Sequence, residues 1–165
     1  MNKILIVCQS EKLSSKLCYA LSEKLNYMVL NVNDYLKYEL YNKEDIENIL
    51  GMEYYKNKEV KIMSNLISFE NCIIEVTPKM FLQERFNSIL TKIGKTIFIK
   101  ISKTYIENEI KLENDQQIKN ILNMDLTVFN EIQHSLENVA NQTILYNENK
   151  LDEKEIISVI NQISF

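Results

Sequence analysis

Residues 3–8 (KILIVC) carry an unbroken apolar run, the pattern of a strand buried on both faces. The period then changes. Leu13, Leu17, Leu21 and Leu25 recur every four residues, which predicts an amphipathic helix over 12–26 with Ser10 as its N-cap. A second strand is predicted over 27–32 (YMVLNV), then short helices over 34–40 and 43–50, with Gly51 as a C-cap. A helix over 53–69 turns Val60, Met63, Leu66 and Ile67 inward. Residues 71–77 (NCIIEVT) read as a third strand ended by Pro78, and 79–93 as one helix closed by Gly94. The run KTIFIKI (95–101) is a fourth strand. Helices over 105–122 and 125–140, a fifth strand over 142–146 and a last helix over 151–163 complete the chain.

Five strands alternating with helices predict a single α/β domain over 1–165: a three-layer α/β/α fold with a five-stranded parallel sheet. Ligands in such folds bind beyond the carboxyl ends of the strands. The places to inspect therefore begin at Cys8, Asn31, Thr77 and Ile101. The first residues, MNKILIVCQSEK, lack a small-residue cleavage site and fit a first strand better than a signal peptide. No apolar stretch is long enough for a membrane span. A cytoplasmic protein is the expectation.

Composition narrows the chemistry. Nineteen basic residues face 23 acidic ones, a net charge of −4, and no basic block stands out. An electrostatic footprint for nucleic acid is missing. Only Arg85 is an arginine, and the only glycines are Gly51 and Gly94, where average usage would give roughly a dozen. Loops that wrap phosphate with backbone N–H groups need glycine, and rigid two-pronged carboxylate grips need arginine. Cys8, Cys18 and Cys72 show no metal-ligand spacing and read as small buried hydrophobes. The sole histidine, His134, has no nucleophile signature near it and reads as a surface residue. Lys56, Lys58, Lys61 and Lys79 read as a solvated face in preference to an anion patch. The tyrosines crowd the first third. Adjacent Tyr54 and Tyr55 cannot both face one core, so this set reads equally as amphipathic filling around the sheet and as lining for a partner surface.

The order of elements, with ILIV, a helix ending in KLN, NVND, YYKNKE, IIEVTPKM and LENVANQTI, resembles the shikimate kinase family of small P-loop kinases over nearly the whole chain. The resemblance implies the fold above and, for active members, ATP, Mg²⁺ and transfer of a phosphoryl group to a hydroxyl. Laid without a gap on the family's GxxGxGK[ST] loop, the glycines fall on Cys8, Glu11 and Leu13. The phosphate-binding lysine falls on Ser14 and the magnesium hydroxyl on Ser15. The D-x-D aspartates fall on Asn31 and Asn33. The FR..E motif falls on Tyr55, Lys56 and Glu59. The triple glycine falls on Thr77, Pro78 and Lys79, and an arginine before the last strand on Ile132–Gln133.

Only Ser15 keeps its residue type among the first-loop positions. Glu11 places a carboxylate where polyphosphate would sit, and Lys12 and Lys16 flank the position of the missing lysine without filling it. Phosphoryl transfer rests on positioning and charge neutralisation, which these changes remove. The expectation is a catalytically inactive family member kept as a binding, regulatory or oligomerisation module. It has no cofactor and no metal site beyond the remnant Ser15. Its partner is another protein or a second copy, not nucleic acid or membrane. The alternative is a divergent shikimate kinase or other small-molecule kinase using ATP and Mg²⁺. A degenerate receiver-like domain is a minor alternative. The first helix is expected to cap itself with Ser10, Glu11 or Ser14, and Asn31, Asn33, Lys56, Thr77 and Lys79 to gather at the sheet edge. Replacing Glu11 and Leu13 by Gly and Ser14 by Lys is expected to begin restoring nucleotide affinity.

Overall fold

The computed structural model of the protein describes residues 3–40, 50–102, 104–105, 126–146 and 153–163. Its elements are β1 (Lys3–Cys8), α1 (Glu11–Leu25), β2 (Met28–Asn31), α2 (Val32–Leu40), α3 (Met52–Asn65), β3 (Cys72–Val76), α4 (Pro78–Phe81), α5 (Glu84–Ile93), β4 (Lys95–Ile101), α6 (Leu126–Val139), β5 (Gln142–Tyr146) and α7 (Glu153–Gln162). The helices expected over 43–50 and 105–122 lie outside the described residues except for Leu50 and Tyr105. Both of these are helical.

The strands form one five-stranded sheet in the order β2-β3-β1-β4-β5. Every pairing is parallel, with Ile6 opposite Glu75 on one side and Ile97 on the other. β3 lies between β2 and β1, whereas a receiver-like fold has strand order 2-1-3-4-5. The receiver alternative is therefore excluded by topology. β1 is central and buried along its length, which is why it reads as a continuous apolar run. β5 is an edge strand and alternates, with Ile144 and Tyr146 buried and Leu145 exposed.

Alternate residues of β1 feed two cores. Ile4, Ile6 and Cys8 pack with Leu13, Leu17 and Leu21 of α1 and with Ile156, Val159 and Ile160 of α7. Leu5 and Val7 face the opposite layer, with Leu36 of α2, Ile62 and Met63 of α3, and Phe86 and Leu90 of α5. The result is the expected three-layer arrangement. Among the described residues, no helix is long and apolar enough to cross a membrane.

Three sequence expectations need correction. Residues 79–93 form two helices, not one, with the break at Leu82–Gln83. Phe81 and Phe86 are both fully buried, yet five residues of unbroken helix would set them about 140° apart. The break turns both to one core. Ile67 is exposed, not inward, because α3 gives way to a 3₁₀ turn over Leu66–Ser68 and the tighter turn rotates it off the buried face. Val32 belongs to α2 and not to the second strand. It is fully buried there.

The two glycines serve the scaffold. Gly51 sits between helical Leu50 and α3 at φ 85° and ψ 158°, a region open essentially to glycine alone. At Gly94 a Cβ would lie 2.3 Å from the Lys3 carbonyl oxygen, so close approach of two backbones demands glycine there.

Candidate functional site

Parallel pairing brings the carboxyl ends of β1 to β4 to one edge of the sheet. Each of these strands leads into a helical segment. At each junction one side chain accepts a hydrogen bond from the backbone N–H three residues on. Ser10 Oγ accepts from Leu13 N at 3.3 Å, and Asn31 Oδ1 from Asp34 N at 3.2 Å. Thr77 Oγ1 accepts from Met80 N at 3.4 Å, and Ser102 Oγ from Tyr105 N at 3.2 Å. The first turn of a helix has backbone donors without intrahelical partners, and this is what makes helix starts attractive to anions. Here one donor at each start is already taken by the chain itself.

The first junction is short. Only Gln9 and Ser10 separate β1 from α1. Glu11, Leu13, Ser14 and Ser15 all lie inside α1 and not in a loop. Leu13 is fully buried in the core and Glu11 is exposed. Ser14 N donates to Ser10 O at 2.9 Å. Of the three self-capping groups expected, Ser10 alone does the capping. Ser14 points its hydroxyl into the interior, and Glu11 stays in solvent because the Ser10 oxygen reaches the N–H first.

Ser15, half-buried in the second turn, donates to Glu75 Oε1 at 2.9 Å. Asn31 Nδ2 donates to Glu75 Oε2 at 2.9 Å. Glu75 itself is 8% exposed. The structure thus joins Ser15 of α1, Asn31 at the end of β2 and Glu75 of β3 into one hydrogen-bonded group. Glu75 escaped the sequence reading. Its only signal was an acid inside an otherwise apolar strand, CIIEV, which asks for buried partners.

The other expected site residues lie on three different helices. Asn33 is half-buried in α2, Lys56 is exposed on α3, Pro78 is the first residue of α4, and Lys79 is exposed beside it. Among the described residues, no hydrogen bond or ion pair links Asn33, Lys56 or Lys79 to the Ser15–Glu75–Asn31 group. Asn31 and Thr77 stand at the ends of neighbouring strands. Lys56 and Lys79 are exposed on separate helices. Glu59 pairs with Arg85 Nη1 at 2.8 Å, tying α3 to α5. Arg85 also lies over the Phe86 ring and donates to Gln83. The sole arginine is thus committed to the scaffold. Gln133 is buried and donates to the Ile101 carbonyl at 2.9 Å. His134 is exposed, as expected.

The thiols are inert by environment. Cys8, Cys18 and Cys72 are all buried and unbridged. Burial pushes Cys8 up from 9.0 to about 12, with the Glu75 charge adding to the rise. Burial and Glu75 raise Cys18 too. Both stay protonated and serve as packing groups. Among the described residues, no three His, Cys, Asp or Glu side chains cluster as a metal site would require.

A family model described as "Shikimate kinase" matches residues 15–163, so the match begins at Ser15. Among curated proteins, none matches the sequence. Several crystal structures share the fold. Shikimate kinase from Bacteroides thetaiotaomicron superposes with a TM-score of 0.68 at 15% identity, covering 98% of this chain and 95% of that one. Shikimate kinase from Aquifex aeolicus gives 0.64 at 19% identity, covering 96% and 93%. Dephospho-CoA kinase from Campylobacter jejuni gives 0.62 at 12% identity, covering 98% and 96%. At these identities the superpositions speak for the fold alone. The family match spans α1 to α7, the sheet order is that of one parallel α/β unit, and on this footing the chain belongs to the shikimate kinase family.

Proposed function

We propose that this chain is a catalytically silent member of the shikimate kinase family, retained as a binding, regulatory or oligomerisation module. The observation that carries the reading is the position of residues 11–14 inside α1, with Leu13 N and Ser14 N both bonded to Ser10. A phosphate-wrapping loop needs successive free N–H groups on a backbone that curls. A helix cannot supply that curl, and a two-residue junction leaves no length for it.

The residues present do not fit ATP with Mg²⁺. No lysine stands at position 14, and Leu13 is a core residue. Asn31 turns its oxygen to Asp34 N and its amide nitrogen to Glu75, so it offers an N–H where a hard cation wants oxygen. The exposed Glu11 adds negative charge at the start of α1. For a module, contact surface remains. Tyr38 is 79% exposed, and Leu50, Met52 and Tyr54 are each about half exposed, apolar area of the kind partner surfaces use.

A divergent kinase is the second reading. It draws on Ser15 and Glu75, which keep a hydroxyl and a carboxylate side by side. Calorimetric titration with ADP and Mg²⁺, alongside a coupled assay with ATP and shikimate, decides between them. The silent reading expects neither saturable binding nor shikimate-dependent ADP release. Micromolar nucleotide binding would overturn it.

A further inference from the structure

Glu75 is a buried charge in the middle of the ligand edge. Its carboxylate has two oxygens and each accepts from a different element: Oε1 from the Ser15 hydroxyl of α1, Oε2 from the Asn31 amide at the end of β2, both at 2.9 Å. The Asn31 amide is oriented by its other end, because Oδ1 accepts from Asp34 N and so caps α2. Its nitrogen is therefore directed at Glu75 as a consequence of the cap. Among the described residues, no lysine or arginine pairs with Glu75. The negative charge is held by two neutral donors and is not cancelled. Burial raises the neighbouring Cys8 and Cys18 thiols, and the Glu75 charge adds to the rise of both.

We propose that Glu75 is a resident anion: its carboxylate holds the Ser15 hydroxyl and the Asn31 amide that would otherwise be the free donors of this edge, and its charge turns away phosphate-bearing ligands. The inference rests on the silent reading above and adds how the site is kept closed. Two effects act together. By occupancy, the Ser15 hydroxyl hydrogen and one of the two Asn31 amide hydrogens are already engaged by Glu75 and are not offered to a phosphate oxygen. By charge, a second anion brought near a largely desolvated carboxylate meets weakly screened repulsion. The same clasp ties α1, β3 and the β2–α2 junction, so opening the edge requires breaking both bonds.

The test titrates inorganic pyrophosphate, without metal, into the full chain and into Glu75→Ala and Glu75→Gln. Ala frees both donors and removes the charge; Gln removes the charge and keeps an acceptor. Wild type is expected to give no saturable binding at millimolar pyrophosphate. Glu75→Ala is expected to bind at least about tenfold more tightly than wild type, and Glu75→Gln to show a smaller gain. Folded variants that bind no better than wild type, or a wild type that binds as tightly as they do, would overturn the proposal. Should Glu75→Ala fail to fold, Glu75→Gln and a direct readout decide. The Asn31 side-chain NH₂ signal in nitrogen-15 NMR must exchange slowly in wild type and shift in Glu75→Gln, and an unmoved signal refutes the clasp. A separate titration of wild type with ADP and Mg²⁺ keeps the two ideas apart. Binding there sinks the silent reading, whereas a lack of gain in the Glu75 variants sinks only the resident anion.

Discussion

Asn31 serves two partners with the two ends of one amide, the Asp34 N–H and the Glu75 carboxylate. Asn31→Asp keeps the oxygen that caps α2 but sets a second carboxylate oxygen about where Nδ2 now lies, 2.9 Å from Glu75 Oε2. Two carboxylates at that distance share a proton or repel. The variant is expected to lose about 1–3 kcal/mol at pH 7 and to recover much of it in acid, where one proton bridges the pair. Urea unfolding at pH 7 and pH 4.5 checks this, and equal losses at both would contradict it. The thiols give a second prediction of the same pH sense, in the alkaline range. The folded-state value of Cys8 lies near 12 against an ordinary 9.0, so the unfolded chain releases its proton first as pH rises. The contribution is complete below about pH 9 and is lost between 9 and 12. Urea midpoints should fall across that window, and fall less in Cys8→Ala. At pH 8 a thiol-labelling reagent should modify none of the buried cysteines until the chain is unfolded.

α1 shows why a helix prediction can succeed while the reading of its first turn needs geometry. The four-residue leucine period fixed the helix and its inner face, and Ser10 was recognisable as the cap. Leu13, at the position of the family's last glycine, belongs to that period; what the period did not reveal is that Ser14, at the position of the lysine, is buried beside it. The substitutions that would rebuild the motif, Glu11→Gly, Leu13→Gly and Ser14→Lys, therefore attack the fold first. Removing a fully buried leucine costs about 2–5 kcal/mol, a mid-helix glycine adds roughly 1 kcal/mol, and a buried ammonium adds more. The triple variant is expected to lose about 4 kcal/mol or more, visible as a collapsed urea midpoint, and to gain no nucleotide affinity. A stable triple variant that binds ADP would reverse this conclusion. α4 and α5 make the complementary point. Nothing in the run from Lys79 to Ile93 marks a break, since neither glycine nor proline interrupts it. The break exists because two phenylalanines five residues apart both reach the core.

At the scale of the whole molecule, charge and topology have different sources. A net charge of −4 without a basic block predicts that the protein passes through a heparin column at low salt, since non-specific nucleic-acid binding is an electrostatic term. Retention that salt reverses would contradict that reading. Class and layer number were legible because buried strands and amphipathic helices differ in period, 2 against 3.6 residues, and the periods stand in the sequence as apolar runs and leucine repeats. Family membership was legible for the same reason: the match follows spacing and apolar pattern. The ligand edge was legible only as a set of places, the ends of the first four strands. Which groups meet there depends on strand order and register, which no local period encodes. Ser15, Asn31 and Glu75 are separated by 16 and 44 residues, and they touch because β3 inserts between β2 and β1 and α1 crosses behind it. The residues at each strand end were decided by the sequence. Their hydrogen-bond partners were decided by the tertiary structure, because a buried carboxylate must take its donors from whatever the packing places within 3 Å.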